Sequence, residues 1–350
     1  MAIIDKPTDY FNTKLYTGTG SSNALTGVGF QPDFTWIKSR SAATHNNLYD
    51  SVRGATKEIY SNLANSEDTD AQSLKSFDTD GFTVGTGTDQ NNNGATYVAW
   101  NWKAGTSVSG TTTGAGTNKS YTGSVNTTSG ISIIRYQGNG TNGHTIPHHL
   151  GVTPTVMMVK RLTGASSNWS NYQSDFWVSG GNQYIDLNRT AAAAADTVMW
   201  YNTQPTSSVF TVGTNERVNY NNDYFINYLF TPIQGYSSFG KYIGTNGGAD
   251  GPFIYTGFKP AFVLIKDALA ANAWNIRDDK RNTYNPATNF LVPDSEAAEV
   301  TAGEAVDILS NGFKIKANGG KVQDSGNTYI YMAFAENPFV TSTGVPACAR

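Results

Sequence analysis

Three histidines stand close together in the chain and have the chemistry to hold a metal ion. They are His144, His148 and His149, within Gly143–Leu150. Neutral imidazoles at short spacing are common zinc ligands. However, no acidic residue adjoins them, and the neighbouring Gly and Pro are typical of a turn. The alternatives are therefore metal binding, pH sensing or ordinary roles in a surface turn. We predict the last, and no metal site.

Acidic and basic side chains recur at positions that could support acid–base chemistry. Asp50 and Arg53 are three residues apart, and Asp278 and Arg281 repeat that spacing. An ion pair that pins a loop is the alternative to catalysis. Carboxylates also cluster at Glu67, Asp68 and Asp70, and at Glu296 and Glu299. Such clusters could act in a glycosidase or bind Ca²⁺, but acidic loops are usually solvated surface.

No recognised catalytic motif joins these residues. The sequence lacks a phosphate-binding P-loop, a Gly-x-Ser-x-Gly elbow and an EF-hand loop. Its single cysteine, Cys348, can form no disulfide within the chain. We therefore predict that the protein is not an enzyme, has no catalytic residues and binds no cofactor.

Two tryptophans, Trp177 and Trp200, are the candidates for ligand contact. Both fall in irregular stretches, and sugars stack on exposed aromatic rings flanked by Asn and Asp. Trp169 and Trp274, by contrast, recur at one position of an internal repeat. That recurrence favours packing in a core.

One stretch of the chain occurs three times. Each copy has a Tyr-x-Gly turn, then a proline, an apolar strand and a lysine six residues after the proline. The copies comprise Tyr16–Gly18 with Pro32 and Lys38, Tyr136–Gly138 with Pro154 and Lys160, and Tyr242–Gly244 with Pro260 and Lys266. Such recurrence indicates a repeat architecture. We expect the proline to start the strand, since it cannot donate to a ladder, and the lysine to end it at the solvent edge.

The matched strands divide the chain into three units. They are 1–104 with a short N-terminal lead, 131–235 and 236–339, and 340–350 is a polar tail. Between the first two, 105–130 consists mostly of Gly, Thr, Ser and Asn. Low hydrophobicity predicts a linker or extended loop there that adds nothing to a core, although Tyr121–Val125 could add one short strand. Each unit is long enough to bury a core of its own.

Composition predicts an all-β fold. Charged residues make up 15% of the chain and aromatic residues 12%, with 36 glycines. Gly and Asn suit turns, and Tyr, Phe, Val and Ile suit strands. Six to eight short strands in each unit favour tandem antiparallel β-sandwiches of the jelly-roll, lectin-like type.

The bulk properties argue against several kinds of partner. A net charge of −3 without basic clusters gives no electrostatic reason to bind nucleic acid. No apolar run approaches the roughly 20 residues of a membrane helix, so we predict no membrane insertion. The N-terminus also lacks the features of a signal peptide.

Several long motifs resemble a family of virion structural proteins of marine tailed phages, of the cyanophage and pelagiphage type. The motifs are 9–12, 27–38, 76–84, 97–105, 145–151 and 333–339. Such proteins are described as tail-fibre-like or structural, with lectin-like sandwich repeats. The resemblance implies a virion surface component made in the host cytoplasm, and it supplies no catalytic residues to carry over.

Taken together, these observations predict a non-enzymatic tail-fibre or appendage protein that contacts host-surface glycans. Neutral, hydrogen-bonding Asn, Thr, Ser and Tyr suit glycan contacts. The first alternative is a capsid decoration protein that binds other virion proteins, and the second is a polysaccharide depolymerase. We also expect a homo-oligomer.

Overall fold

The computed structural model describes residues 3–176, 183–245 and 248–339. Trp177 and the predicted tail, 340–350, lie outside the described residues. The strands of the first unit are β1 (Phe11–Thr17), β2 (Asn23–Thr26), β3 (Phe34–Ser39), β4 (Asn46–Asp50), β5 (Lys57–Tyr60), β6 (Asp68–Thr69), β7 (Leu74–Asp78), β8 (Gly81–Val84) and β9 (Thr96–Trp102).

The second and third units also consist mainly of short strands. The next strands are β10 (Thr106–Thr111), β11 (Thr113–Gly114), β12 (Ser120–Asn126), β13 (Ile131–Gln137), β14 (His144–Pro147), β15 (Val156–Arg161), β16 (Ser170–Gln173), β17 (Gln183–Tyr184), β18 (Ala194–Ala195), β19 (Val209–Val212) and β20 (Tyr224–Phe230). The third unit has β21 (Ser237–Ile243), β22 (Phe253–Tyr255), β23 (Phe258–Asp267), β24 (Asn275–Asp278), β25 (Val306–Leu309), β26 (Gly312–Ile315) and β27 (Thr328–Pro338). The helices are one turn long: α1 (Thr88–Asn91), α2 (Glu216–Asn219) and the 3-10 turns Pro7–Asp9, Ser174–Phe176 and Gly248–Asp250.

Each unit is an antiparallel β-sandwich with an inner and an outer sheet. The inner sheets share the orders β1-β9-β3-β4, β13-β20-β15-β16 and β21-β27-β23-β24. The outer sheets are β2-β8-β7, β11-β14-β19 and β22-β26-β25. The predicted all-β, sandwich-type fold is therefore confirmed, and the closing strand always lies between the first strand and the proline strand.

The stretch 105–130 does not behave as the predicted linker. Its strands β10 and β12 extend the inner sheet of the second unit, where β12 pairs with β13. Tyr121 and Val125 are buried in that unit's core. The short strand considered at Tyr121–Val125 is part of β12. Composition concealed its role in the core because only a few alternate positions of β12 face the core, and Ser, Thr and Gly suffice elsewhere.

The three inner sheets share one central core, in addition to the core that each unit buries between its own two sheets as predicted. On β9, Val98, Trp100 and Trp102 face this core, whereas Tyr97 and Ala99 face the first unit's outer sheet. The same alternation brings in the matching residues of the other closing strands, namely Ile226, Tyr228 and Phe230, and Ile330, Met332 and Phe334. Each inner sheet thus depends on the other two units to keep water from one of its faces.

The Tyr-x-Gly motif closes each sandwich at one end. The ring of Tyr16 stacks on Tyr97 with centroids 5.0 Å apart, and its hydroxyl donates to the Gln90 carbonyl at 2.6 Å. A Cβ on Gly18 would lie 2.2 Å from the Asn92 carbonyl oxygen, so only glycine fits there. The other units repeat these contacts through Tyr136, Phe225, Val218 and Gly138, and through Tyr242, Tyr329, Val322 and Gly244.

The prolines mark the start of the proline strand in two units. Pro32 and Pro154 stand two residues before β3 and β15. In the third unit β23 begins earlier, and its pairing with β27 shifts register around Pro260. A bulge is the usual way for a strand to accommodate a proline.

The lysines in the last two residues of these strands are fully buried, contrary to the prediction that they end the strands at solvent. Each ammonium donates to backbone carbonyls of its own unit and of a neighbouring unit. The bonds that cross between units run from Lys38 to Glu296 (2.8 Å), from Lys160 to Ala64 (3.0 Å) and from Lys266 to Thr190 (3.0 Å). Burial lowers the pKa of Lys160 to about 7 and those of Lys38 and Lys266 to about 8. Together the three bonds form a cycle that joins the units around the central core.

Candidate functional site

The Asp-x-x-Arg pairs are buried ion pairs that also link neighbouring units. Asp50 accepts from Arg53 at 2.5 Å, and both side chains are completely buried. The hydroxyl of Tyr228, in the second unit, donates to Asp50 at 2.7 Å. The third unit repeats the arrangement, since Asp278 accepts from Arg281 at 2.6 Å and from the Trp100 indole of the first unit at 3.1 Å.

The second unit is bridged to its neighbour at the same position without an ion pair. Gln173 pairs with Val156 as Asp50 pairs with Phe34, and three residues further on Phe176 replaces the arginine. The amide of Gln173 donates to the Gly240 carbonyl of the third unit at 2.9 Å. A hydrogen bond thus crosses each of the three contacts between units, and it always involves the residue at this one strand position.

The carboxylate clusters are occupied by partners or lie on open surface. Glu299 is bound by Arg40 at 3.0 Å and by Arg281 at 2.9 Å. Burial raises the pKa of Glu299, but these two guanidinium groups outweigh it and hold the pKa below its usual value. Glu67 lies 3.4 Å from Arg53. Within 3–176, 183–245 and 248–339, no group of three or more His, Cys, Asp or Glu is placed to hold a metal ion.

Two of the three histidines lie in the core of the second unit, and only His149 is exposed as predicted. His144 contacts the side chains of Asn219 at 3.1 Å and Thr112 at 2.7 Å. His148 accepts from the Leu150 amide at Nδ1 (3.2 Å), and its Nε2 lies 3.1 Å from the Thr206 carbonyl. This pair of contacts suits a neutral imidazole, since Nδ1 must keep its lone pair.

His148 is expected to make the protein lose stability in acid. Burial lowers its pKa to about 4, against an ordinary value of about 6.5. Between these values the unfolded chain binds the extra proton and the folded chain does not. This contribution to stability is therefore complete above about pH 6.5 and disappears as pH falls towards 4, by about 3 kcal/mol in all.

Urea unfolding followed from neutral to acidic pH measures this effect. His148→Gln should flatten the pH dependence of the free energy of unfolding over that window. His149→Gln, at the exposed neighbouring position, serves as the matched control and should change the slope much less, because burial lowers the pKa of His149 as well but that side chain is exposed. Equal slopes for His148→Gln and the wild type would contradict the assignment.

Trp200 is buried and has no face available for a sugar. Its side chain is 0% exposed, its indole donates to the Gln183 carbonyl at 3.0 Å, and its ring meets Tyr172 edge-on at 6.0 Å. The irregular backbone around it suggested a surface position. An irregular segment still buries a large apolar ring when it packs against a sheet, because that burial is strongly favourable.

Two open grooves lie side by side where the first unit meets the second. The larger, here the junction groove, has a volume of about 500 Å³ and is lined by Ala64, Arg161, Ser166–Asn168 and Thr214–Arg217. The smaller, here the Tyr60 groove, has a volume of about 400 Å³ and is lined by His45, Tyr60, Leu63, Asn65–Asp68 and Ser166. Ser166 lies on the wall between them.

Backbone hydrogen bonds between the two units fix this wall. The Ser167 amide donates to the Ala64 carbonyl at 2.7 Å, and the Glu67 amide donates to the Leu162 carbonyl at 2.9 Å. Lys160 lies beneath and donates to both Ala64 and Ser167. The grooves are therefore held by the core of the molecule although loops form their surface.

Tyr220 lies beside the junction groove, where the guanidinium of the lining residue Arg161 covers one face of its ring. Tyr220, 45% exposed, lies over the Arg161 guanidinium at 4.3 Å. Arg161 donates to Asp223 at 2.6 Å, and Arg217 donates to Asp186 at 2.9 Å. With these charges neutralised, the groove presents mainly hydroxyl and amide groups.

The Tyr60 groove has similar chemistry. Tyr60 lies against the His45 ring with centroids 5.0 Å apart, and its hydroxyl donates to Glu58 at 2.7 Å. Burial raises the pKa of the Glu58 carboxyl. Both grooves can hold a polar ligand by stacking and hydrogen bonds. Sequence reasoning missed Tyr60 and Tyr220 because neighbouring strands contain many similar tyrosines that are buried.

Comparison with models of protein families identifies the family of the chain. A model of the family described as Domain of unknown function (DUF7483) matches residues 6–338. The chain belongs to this family. The DUF7483 match covers all three units, the strands of 105–130 and both grooves. A search of curated proteins and a search of solved structures each gave no match. Among the helices in the described part of the chain, none has the length and apolar character required to cross a membrane.

Proposed function

We propose that this protein is a non-enzymatic virion surface component of a tailed phage, a tail-fibre or appendage protein that contacts host-surface glycans. The junction groove, lined by hydroxyl and amide groups and flanked by the exposed Tyr220, is the observation that carries the proposal. Its position on the rigid contact between two units suits a binding site, since loops supported by a fixed scaffold commonly carry recognition.

Glycans fit this chemistry better than strongly charged ligands do. The two arginines of the junction groove already have carboxylate partners, so no uncompensated charge attracts an ion. Sugar rings have apolar faces that pack on aromatic rings, and hydroxyl groups that bond to amides such as those of Asn168 and Asn215. The neighbouring Tyr60 groove extends the contact, so an oligosaccharide could span both.

Replacing the half-buried Tyr60 or the exposed Tyr220 with alanine should weaken glycan binding while the fold persists. An aromatic contact of this kind contributes about 1 kcal/mol beyond area burial, so each of Tyr60→Ala and Tyr220→Ala is expected to weaken binding about fivefold to tenfold. Glycan arrays and binding to host cells measure the loss. Tyr284→Ala, an exposed tyrosine of the third unit, is the matched control. Undiminished binding by both groove variants would contradict the site.

A capsid decoration protein that binds other virion proteins is the second candidate. It is favoured by an unpaired strand edge with exposed aromatic side chains in the third unit, described below. Copy number and position in a virion reconstruction distinguish the two: few copies on the tail support the appendage, and regular copies over the capsid support decoration. Cleavage of a polysaccharide by the purified protein would be required for the depolymerase alternative.

A further inference from the structure

The repeats provide an internal comparison of one strand edge. The equivalent outer-sheet strands are β2, β14 and β22. In the second unit, β11 covers the edge of β14, where Thr113 pairs with Thr145 and Gly114 with His144. Among the described residues, no strand pairs with the matching edge of β22, which is bonded only to β26.

The backbone of β22 directs its free hydrogen-bonding groups towards that edge. On the paired side, the Pro252 carbonyl accepts from Ile315 and the Thr256 amide donates to Asn311, both at 3.0 Å. Because bonding direction alternates along a strand, the amides and carbonyls of Phe253 and Tyr255 face away from β26. Two donors and two acceptors thus line the open edge.

The side chains of the same two residues leave this edge unprotected. Phe253 is 46% exposed and Tyr255 is 59% exposed, whereas the matching positions in the first unit hold the small residues Ala24 and Thr26. Free edges are normally blunted by charge, proline or a covering segment. The three residues of β22 include none of these.

We propose that β22 pairs edge to edge with β22 of a second copy of this chain. The strands run antiparallel about a twofold axis at Ile254, with Phe253 opposite the partner subunit's Tyr255 and Tyr255 opposite the partner subunit's Phe253. This register forms four backbone hydrogen bonds and two aromatic cross-strand pairs, and a twofold contact is self-complementary. The occupant is a second copy because an aromatic residue stands on each side of Ile254. Two copies of this edge therefore match each other when a twofold axis passes through that residue.

The resulting dimer is weak and independent of glycan binding. Stable dimers bury about 1,200–2,000 Å², and a three-residue edge supplies far less. We expect a dissociation constant on the order of 10–100 μM, at which local enrichment on a virion would favour the dimer.

Sedimentation velocity of the full chain over a range of about 5–300 μM tests this proposal. The wild type should shift from monomer to dimer across that range, and Phe253→Lys and Tyr255→Pro should each remain monomeric with unchanged melting temperature. Tyr255→Pro fits the fold because the second unit carries Pro147 at this position. Phe253→Lys changes only a side chain and keeps the test decisive if the proline variant unfolds.

The first unit supplies matched controls. Ala24→Lys and Thr26→Pro make the same changes on the equivalent edge of β2 and should dimerise as the wild type does. A wild type that stays monomeric throughout the range would overturn the proposal, as would a dimer that persists in Phe253→Lys. A dimer lost equally in the β2 controls would also overturn it.

Discussion

The second unit, produced alone as residues 105–235, is expected not to fold as a monomer. In the full chain, Ile133, Met158, Tyr228 and Phe230 of its inner sheet are buried against the other units. Alone, the fragment would expose this whole face, at about 1.5–3 kcal/mol for each large apolar side chain. The four named side chains alone account for about 6–12 kcal/mol, which is comparable with the whole stability of a domain, about 5–15 kcal/mol.

Circular dichroism and thermal unfolding of the fragment measure this effect. The full chain should show near-ultraviolet signals from its packed aromatic residues and a single cooperative transition. The fragment should lack both and bind a hydrophobic dye. Its mass must be followed at the same time, since three copies of one unit could imitate the arrangement in the full chain. A monomeric fragment with a cooperative transition would contradict the shared core.

Arg281→Ala is expected to lower the free energy of unfolding by about 3–5 kcal/mol. The substitution leaves Asp278 buried without its cation, and an uncompensated buried charge is strongly destabilising. It also removes the bonds from Arg281 to Glu299 and to the Ile276 carbonyl. Denaturant unfolding at neutral pH measures the loss.

The second unit suggests the control for this variant. Asp278→Gln combined with Arg281→Phe copies Gln173 and Phe176 into the third unit and removes both charges together. This double variant should be markedly more stable than Arg281→Ala. Arg189→Ala should cost less than about 1 kcal/mol, because Arg189 is largely exposed and such pairs contribute little. Equal losses for Arg281→Ala and Arg189→Ala would contradict a buried role.

Much of the local structure could be predicted from the sequence because the same pattern of residues occurs three times. Recurrence of the Tyr-x-Gly turn, the proline strand and the closing strand marked the units, and composition indicated antiparallel sandwiches. The repeated position of Trp169 and Trp274 correctly favoured a core, since both are buried. The Asp-x-x-Arg spacing was sufficient to predict an ion pair, because neighbouring turns bring such residues together.

The grooves could not be predicted in this way. Their walls join Ala64 and Glu67 of one unit to Ser167 and Leu162 of the next, and no local pattern records such a contact. Trp200 illustrates the reverse error, because its irregular surroundings concealed a buried position. Exposure depends on which surfaces meet, and that is settled only when the units pack.

The sequence by itself determined the recurring strands of each unit and the residues of the Tyr-x-Gly turns, because these depend on neighbours along the chain. The tertiary structure alone decided that the units share one core and that their lysines are buried. Continuous apolar runs such as Val156–Val159 require burial of both strand faces, but they do not say what covers the second face. Lys38 donates to the nearby Thr44 carbonyl and to the carbonyl of Glu296, 258 residues away, and these acceptors together make a buried ammonium tolerable.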